Sequence, residues 1–190
     1  MTIMNDHHLI LGRLTDLITG RTIDDTHDER YRQLMARLLV YQKGYRRSEI
    51  TPQQPIEVRV DGKCARVPAT YIITIGGRAA LLIHYGPGSL VTRHRPALAM
   101  SRLAAGHQIP VVVVTNGETA DILDGATGQV TAHGLEAIPA RLRLQELLSD
   151  QPLKTVDPHR AEREARILMA FEVDDRCPCD DTVCTWKDKR

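Results

Sequence analysis

The sequence predicts an α/β fold in which a mixed sheet is flanked by helices. Three patterns support this prediction. Apolar residues recur at helical spacing over 31–39, three apolar segments between 50 and 85 are separated by short glycine turns, and another helical segment then leads into a buried strand. A meander followed by a crossover helix and one more strand is typical of a mixed sheet with helices packed on it.

The first helix is predicted from residues 22–45, TIDDTHDERYRQLMARLLVYQKGY. One face of this segment is apolar and consists of Tyr31, Leu34, Met35, Leu38 and Leu39. Thr26 and Glu29 match the capping-box pattern at the start of a helix. Gly44 fits the residue that follows a helix C-terminus. The segment therefore predicts one amphipathic helix with defined ends.

Three strands follow as a meander. IEVRV alternates apolar and polar residues, and Asp61-Gly62 predicts a hairpin turn before CARVPATYIITI. Gly76-Gly77 predicts the second turn. RAALLIHY is nearly continuous in apolar residues, which is typical of a strand covered on both faces. The third strand is therefore expected at the centre of the sheet.

The remaining chain alternates between helices and strands. RPALAMSRLAAGHQ is predicted to be helical with Pro96 in its first turn, and IPVVVVTNG to be a buried strand. TADILDGATGQV predicts two strands joined by a turn, and PARLRLQELLSD a short helix. DPHRAEREARILMAFEV predicts a longer helix capped by Asp157. The polar connector 150–158 divides the chain into a domain over 1–150 and a C-terminal helix with a cysteine-rich tail over 151–190.

Composition limits the class of protein. Apolar residues make up 42% and charged residues 26%, as in globular domains, and the formal net charge of +1 neither favours nor opposes nucleic-acid binding. No apolar run approaches the roughly eighteen residues of a membrane helix. The N-terminus lacks the basic and apolar segments of a signal peptide. We therefore expect a cytoplasmic protein with no membrane partner.

The order of these elements resembles the N-terminal domain of the type I restriction enzyme R subunit, a branch of the PD-(D/E)XK nuclease superfamily. The similar strings are DERYRQLMARLLVYQKGYRRSEI, RVPATYIITIGGRAALLIHYGPG, RPALAMSRL and IPVVVVTNG, which together span residues 20–130. The resemblance implies a restriction-endonuclease-like fold. It also implies a site in which two strand carboxylates and a helix glutamate bind Mg²⁺ while a lysine supports the developing charge.

This chain departs from that pattern. The positions of the two strand acids are taken by Thr70 and His84, and the position of the lysine by Gly86. Glu29 is the counterpart of the helix acid, although it is equally a capping residue. A neutral imidazole is a poor ligand for Mg²⁺, and a central-strand histidine is often only a core residue. We therefore expect a catalytically degenerate nuclease domain, and the alternative is an active Mg²⁺-dependent nuclease with displaced ligands.

The segment YGPGSLVTRHR, 85–95, is a candidate nucleic-acid contact. Gly86 and Gly88 can expose backbone amides to a DNA phosphate, and Arg93 and Arg95 supply positive charge. The alternative is a turn with a solvated basic patch. Retained DNA binding, a protein partner or a homo-oligomer would each suit a domain that has lost its catalytic groups.

Four cysteines suggest a different chemistry. Cys177, Cys179 and Cys184 lie within eight residues, and Cys64 could supply a fourth thiolate. Thiolates favour Zn²⁺ or an iron–sulfur cluster, and some nucleases of the resembling superfamily hold such a cluster with one early and three late cysteines. The third hypothesis is therefore a small metal-binding interaction protein, and its alternative is a tail with ordinary thiols.

Overall fold

A computed structural model describes residues 9–150, 153–174 and 184–187. The strands are β1 (Gly12–Thr15), β2 (Thr22–Asp25), β3 (Ile50–Val60), β4 (Lys63–Ile75), β5 (Arg78–Tyr85), β6 (Val111–Thr115), β7 (Ala120–Asp124), β8 (Val130–His133) and β9 (Cys184–Lys187). The helices are α1 (His27–Arg37), α2 (Val91–Leu103), α3 (Arg141–Asp150) and α4 (Pro158–Met169). A mixed sheet flanked by helices confirms the predicted fold class.

The main sheet has the strand order β3-β4-β5-β6-β7-β8, and β9 pairs with the first part of β4. Neighbouring strands of the described chain run antiparallel except β5 and β6, which run parallel and are connected by α2. The carboxyl ends of β5 and β6 therefore reach the same edge of the sheet, where α2 begins. β1 and β2 form a separate two-stranded sheet.

Two layers of helices cover the two faces of the sheet. On one face, α1 and α3 pack with Met35, Leu39, Tyr71, Ile83, Val113 and Leu144 into the first buried core. On the other face, α2 and α4 pack with Ile72, Leu82, Leu98, Val114, Leu168 and Met169 into the second. Because α4 shares this second core with α2 and the sheet, its position is fixed by the same apolar packing that stabilises the β5-α2-β6 unit.

The predicted meander and its turns are confirmed. Asp61 and Gly62 have φ angles of 49° and 78°, and Gly76 and Gly77 have 58° and 78°, as a two-residue hairpin turn requires. The prediction of Pro96 in the first turn of its helix was wrong, because α2 begins at Val91. Beside that earlier start, the hydroxyl of Thr92 donates to the Ser89 carbonyl at 2.9 Å.

Two features were missed by the sequence prediction. The β1-β2 hairpin is short and largely exposed, so it lacks a periodic apolar pattern. α1 and α4 each continue into a single π-helical turn, over Leu38–Gln42 and Ala170–Asp174. Such turns are rare and frequently lie at functional sites. Within the described ranges, none of the helices has both the length and the apolarity that crossing a bilayer demands.

Candidate functional site

A row of polar residues crosses the sheet on the face covered by α2 and α4. His84 of β5 pairs with Val114 of β6, Val114 with Asp121 of β7, and Asp121 with His133 of β8. Thr70 extends the row, because it lies one step beyond the last paired residues of β4 and β5. Paired residues of neighbouring strands point to the same face. The row therefore places four polar side chains on the face of the sheet that α2 covers, and His94 of α2 contacts one of them, Asp121.

The structure brings Thr70 and His84 together. Both are buried, with 6% and 5% of their surfaces exposed. The hydroxyl of Thr70 accepts the backbone N–H of Tyr85 at 2.9 Å, so it replaces a ladder bond at the point where the two strands separate. Thr70 thus has a structural role at the point where β4 and β5 separate.

Gly86 lies beneath the side chain of Arg93. A methyl group built on Gly86 would lie 3.0 Å from Nε of Arg93, so the guanidinium occupies the space above this glycine. The N–H of Gly86 donates to the carbonyl of Thr115 at 3.0 Å and is not free for a phosphate. A cation from α2 therefore stands close to where the resembling family places its lysine.

A carboxylate reaches the same place from the C-terminal part of the chain. Glu172, in the π-helical turn after α4, places Oε1 3.5 Å from Nε2 of His84 and 3.8 Å from a terminal nitrogen of Arg93. The side chain of Glu172 is only 12% exposed. His84, Arg93 and Glu172 thus form a group that we call the His84 cluster, in which His84 and Glu172 are buried and Arg93 is partly exposed.

A second cluster lies further along the polar row. Asp121 accepts from Nε2 of His94 and from Nδ1 of His133, each at 2.7 Å. Burial raises the pKa of Asp121, but the two imidazole hydrogen bonds outweigh it, so the pKa lies below its ordinary value. The side chain of His133 is 77% exposed, whereas that of Asp121 is 10% exposed. Asp121 thus joins α2 to β7 and β8 through two imidazoles.

Replacing Asp121 with asparagine is expected to make the free energy of unfolding less dependent on pH below about pH 5. Because the folded carboxyl has a lowered pKa, its contribution is present above the ordinary value of 3.8 and is lost as pH falls through the folded value. Urea unfolding from about pH 5 to about pH 3 should show a steeper loss for the wild type than for Asp121→Asn. At pH 7 the variant should lose about 2 kcal/mol. Parallel curves below pH 5 would contradict this assignment.

Glu29 lies in the other layer. Its carboxylate accepts from Nε2 of Gln33 at 2.7 Å and pairs with Arg32, while its backbone N–H donates to the hydroxyl of Thr26 at 3.2 Å. α1 packs on the face opposite the polar row. The structure therefore does not place Glu29 among the His84 cluster.

The three arginines of α2 each face an acid of α4 or of the π-helical turn that follows it. Arg95 and Arg102 contact the two carboxylate oxygens of Glu164 at 2.9 and 2.7 Å, and Arg93 faces Glu172. Arg93 and Arg95 nevertheless keep 32% and 44% of their side chains exposed. The two arginines predicted to contact DNA therefore each face one carboxylate, and both remain partly accessible to solvent.

The predicted cysteine site lies largely outside the described part of the chain. Cys177 and Cys179 are not described, and of Cys184 only the backbone is. In the pairing of β4 with β9, Cys64 is opposite Trp186 and Arg66 is opposite Cys184. Cys64 is free and buried. Among the described residues, no group of three or more His, Cys, Asp and Glu side chains is placed to hold a metal ion.

An open groove lies between the β1-β2 hairpin and α1. Its volume is about 540 Å³, and it is lined by Leu14, Thr15, Leu17, Arg30, Gln33, Leu34 and Arg37. None of the motif positions faces this groove. The groove is thus separate from the polar row, which lies on the face of the sheet covered by α2 and α4.

Three acids that contact α2 were not found from the sequence, namely Asp121, Glu164 and Glu172. Asp121 lies two residues before Leu123 in a strand whose two faces are both buried, so the two-residue period places it on the same face as Leu123. Glu164 and Glu172 lie four residues before and after Leu168, on the buried stripe of their helix. An acidic residue on the apolar stripe of a helix was the sequence signal that could have identified Glu164 and Glu172 as buried acids. What each acid meets depends on the packing of α2 against α4.

Comparison with known proteins gives one match. The family model of the type I restriction enzyme R protein N terminus (HSDR_N) matches residues 27–139, more than half of the chain. The matched range contains α1, the polar row and α2, whereas α4 and Glu172 lie beyond it. Neither the curated proteins nor the solved structures gave a significant match.

Proposed function

Because this chain belongs to the family of type I restriction enzyme R protein N-terminal domains, we propose that it is a nuclease-like domain that binds DNA without cutting it. The family supplies the expectation of a site for DNA and Mg²⁺. The residues present at that site do not fit Mg²⁺, and the partly exposed arginines beside it support the proposed DNA contact.

The proposal that this domain does not cut DNA rests on the residues found at the motif positions. Thr70 and His84 stand where the resembling family has carboxylates, and the nearby carboxylate of Glu172 is shared with the guanidinium of Arg93. Mg²⁺ requires oxygen ligands in a nearly ideal octahedron and dehydrates reluctantly. One carboxylate beside a fixed cation does not meet that requirement, so these residues do not fit Mg²⁺.

The contact with DNA is assigned to the start of α2 and the turn before it. Gly88 has a φ angle of 89° and is exposed, and Arg93 and Arg95 present their partly exposed guanidinium groups beside it. Each guanidinium has five N–H donors, so an arginine paired with one carboxylate can still donate to a phosphate. Such contacts recognise the backbone rather than the base sequence.

DNA binding is tested by fluorescence anisotropy with a short duplex at several salt concentrations. The wild type should bind with a steep salt dependence, and it should release no cleaved product with Mg²⁺ or Mn²⁺. Arg93→Gln/Arg95→Gln should bind about tenfold more weakly and lower the salt slope by roughly two, because two phosphate contacts are lost. Arg143→Gln is the matched control, since Arg143 is an exposed, paired arginine on α3, in the other layer.

Binding that does not depend on salt, or an unchanged slope in the double variant, would contradict the assignment. A folded protein that binds no duplex would instead favour a protein partner or a second copy of this chain. Circular dichroism of each variant separates loss of binding from loss of folding, which matters because Arg95 contacts the buried Glu164.

A second candidate is an active nuclease with displaced ligands, and the position of Glu172 favours it. In this alternative, Glu172 replaces the strand carboxylate whose place His84 has taken. Metal-dependent cleavage by the wild type that disappears in Glu172→Gln would support the second candidate and contradict the first.

A further inference from the structure

The groove between the β1-β2 hairpin and α1 exposes apolar side chains. The sequence places Leu34 on the apolar face of the first helix, but the structure leaves it 55% exposed. Leu34 lines the groove together with Leu14 and Leu17 of the hairpin. The apolar residues 9–11, which lead into β1, are exposed as well. Because exposed apolar surface that is rimmed by polar residues commonly marks an interaction site, this groove is a candidate for binding a partner.

A buried hydrogen-bond network fixes the shape of this groove. Gln33 on α1 is buried, and its side-chain oxygen accepts the N–H of Leu17 at 2.9 Å. Its amide nitrogen donates to Asp16 and to Glu29, each at 2.7 Å. Asp16 in turn accepts the N–H of Thr19 at 2.6 Å, within the loop that joins β1 and β2. Because these bonds hold the hairpin loop against α1, a ligand meets a groove that is already formed.

Two arginines give the groove a positive charge. Arg30, Leu34 and Arg37 are exposed and follow one another at spacings of four and three residues, so they form one stripe along α1. Arg30 is paired with Asp25 at 2.6 Å, whereas Arg37 forms no ion pair with any residue that the structure describes. Among the described residues that line the groove, none is acidic. The groove therefore offers apolar contacts that are flanked by positive charge.

We propose that this groove binds an acidic amphipathic helix of a partner protein. Apolar side chains of such a helix, spaced by three or four residues, pack on the leucines of the groove. Its carboxylates pair with Arg37 and, beside Asp25, with Arg30, so the charges of the two surfaces are complementary. α1 has 11 residues and is therefore roughly 16 Å long, which is enough to contact about three turns of a partner helix.

Two other occupants fit the groove less well. In a symmetric pair of α1 helices, the stripe of one copy faces the same stripe of the second, so that Arg30 and Arg37 meet arginine or leucine and no acid. Nucleic acid supplies negative charge, but its phosphates make no use of the exposed leucines. The inference is independent of the proposed DNA contact, because α1 and α2 pack on opposite faces of the sheet.

The test is a selection of binders to the full chain from a displayed library of random peptides of about 18 residues, or five helical turns. The enriched peptides should carry a net negative charge and apolar residues at helical spacing. Measured by fluorescence anisotropy, Leu34→Ser and Arg37→Glu should each weaken their binding about tenfold or more, because each removes a central contact. Replacing the acidic residues of an enriched peptide with lysine should abolish binding to the wild type, and the lysine peptide should bind Arg37→Glu better than the wild type.

Matched controls are Leu142→Ser and Arg143→Glu, which make the same changes at exposed residues of α3 that do not line the groove. Both should bind the enriched peptides like the wild type, and circular dichroism should show that every variant is folded. The inference is wrong if no peptide is enriched, if the enriched peptides are not acidic, or if they bind Leu34→Ser as tightly as the wild type. A dimer in sedimentation that Leu34→Ser dissociates would also contradict it, because the groove would then bind a second copy of this chain.

Discussion

Replacing Glu164 with glutamine is expected to lower the free energy of unfolding by about 3 kcal/mol. The side chain of Glu164 is 3% exposed, and its two oxygens contact Arg102 and Arg95 at 2.7 and 2.9 Å. Arg102 is itself 5% exposed, and burial holds its pKa below the ordinary value. The variant leaves this buried cation without its carboxylate, and an uncompensated buried charge is among the most costly defects in a fold.

Urea unfolding at neutral pH measures the loss. Glu162→Gln is the control, because it makes the same chemical change on an exposed part of the same helix and should alter stability by less than about 0.5 kcal/mol. A loss below about 1 kcal/mol for Glu164→Gln would mean that Gln108 and the Gly125 carbonyl, which also contact Arg102, satisfy it without Glu164.

This ion pair also positions the candidate site. Glu164 joins α4 to the arginines of α2, and Glu172 reaches the His84 cluster from the turn that continues the same helix. Loosening the first contact should therefore weaken the second. Two residues beyond the family match thus support the candidate site: Glu172 supplies a carboxylate next to His84, and Glu164 fixes α4 against α2.

Much of the fold was predictable because it depends on local patterns. The turn at Asp61-Gly62 and the cap at Thr26 follow from the conformations that these residue types favour. β5 was recognisable as a central strand because apolar side chains fill both of its faces. The β1-β2 hairpin has neither signal, since most of its residues are exposed.

The candidate site was predictable only in part. The motif positions Thr70, His84 and Gly86 were predicted from the resemblance, and the pairing of β4 with β5 then brings the first two side by side. Glu172 lies 88 residues after His84. No local pattern specifies contact over that distance, because it depends on how α4 packs against α2. The function of the domain must therefore be inferred from the residues of the site and not from the fold alone.

Gly125→Ala is expected to destabilise the protein by about 3 kcal/mol through a steric clash with the backbone. A methyl group at this position would lie 2.1 Å from the carbonyl oxygen of Ile109 and 3.0 Å from that of Pro110. The chain cannot move aside, because the N–H of Gly125 donates to Pro110 at 2.7 Å and the N–H of Ile109 donates to Ser101 at 3.0 Å. This glycine therefore permits the close approach of the turn after β7 to the chain that enters β6.

The control is Gly106→Ala, since Gly106 is exposed and has no atom within 4 Å of the added methyl group. Its unfolding free energy should stay within about 0.5 kcal/mol of the wild type. The Gly125 carbonyl also accepts from Arg102 at 3.4 Å, so the clash should displace the Arg102–Glu164 pair as well. Combining Gly125→Ala with Glu164→Gln should then cost less than the sum of the two changes, because both act on one buried cation. Strict additivity in urea unfolding would show that the turn and the ion pair are independent.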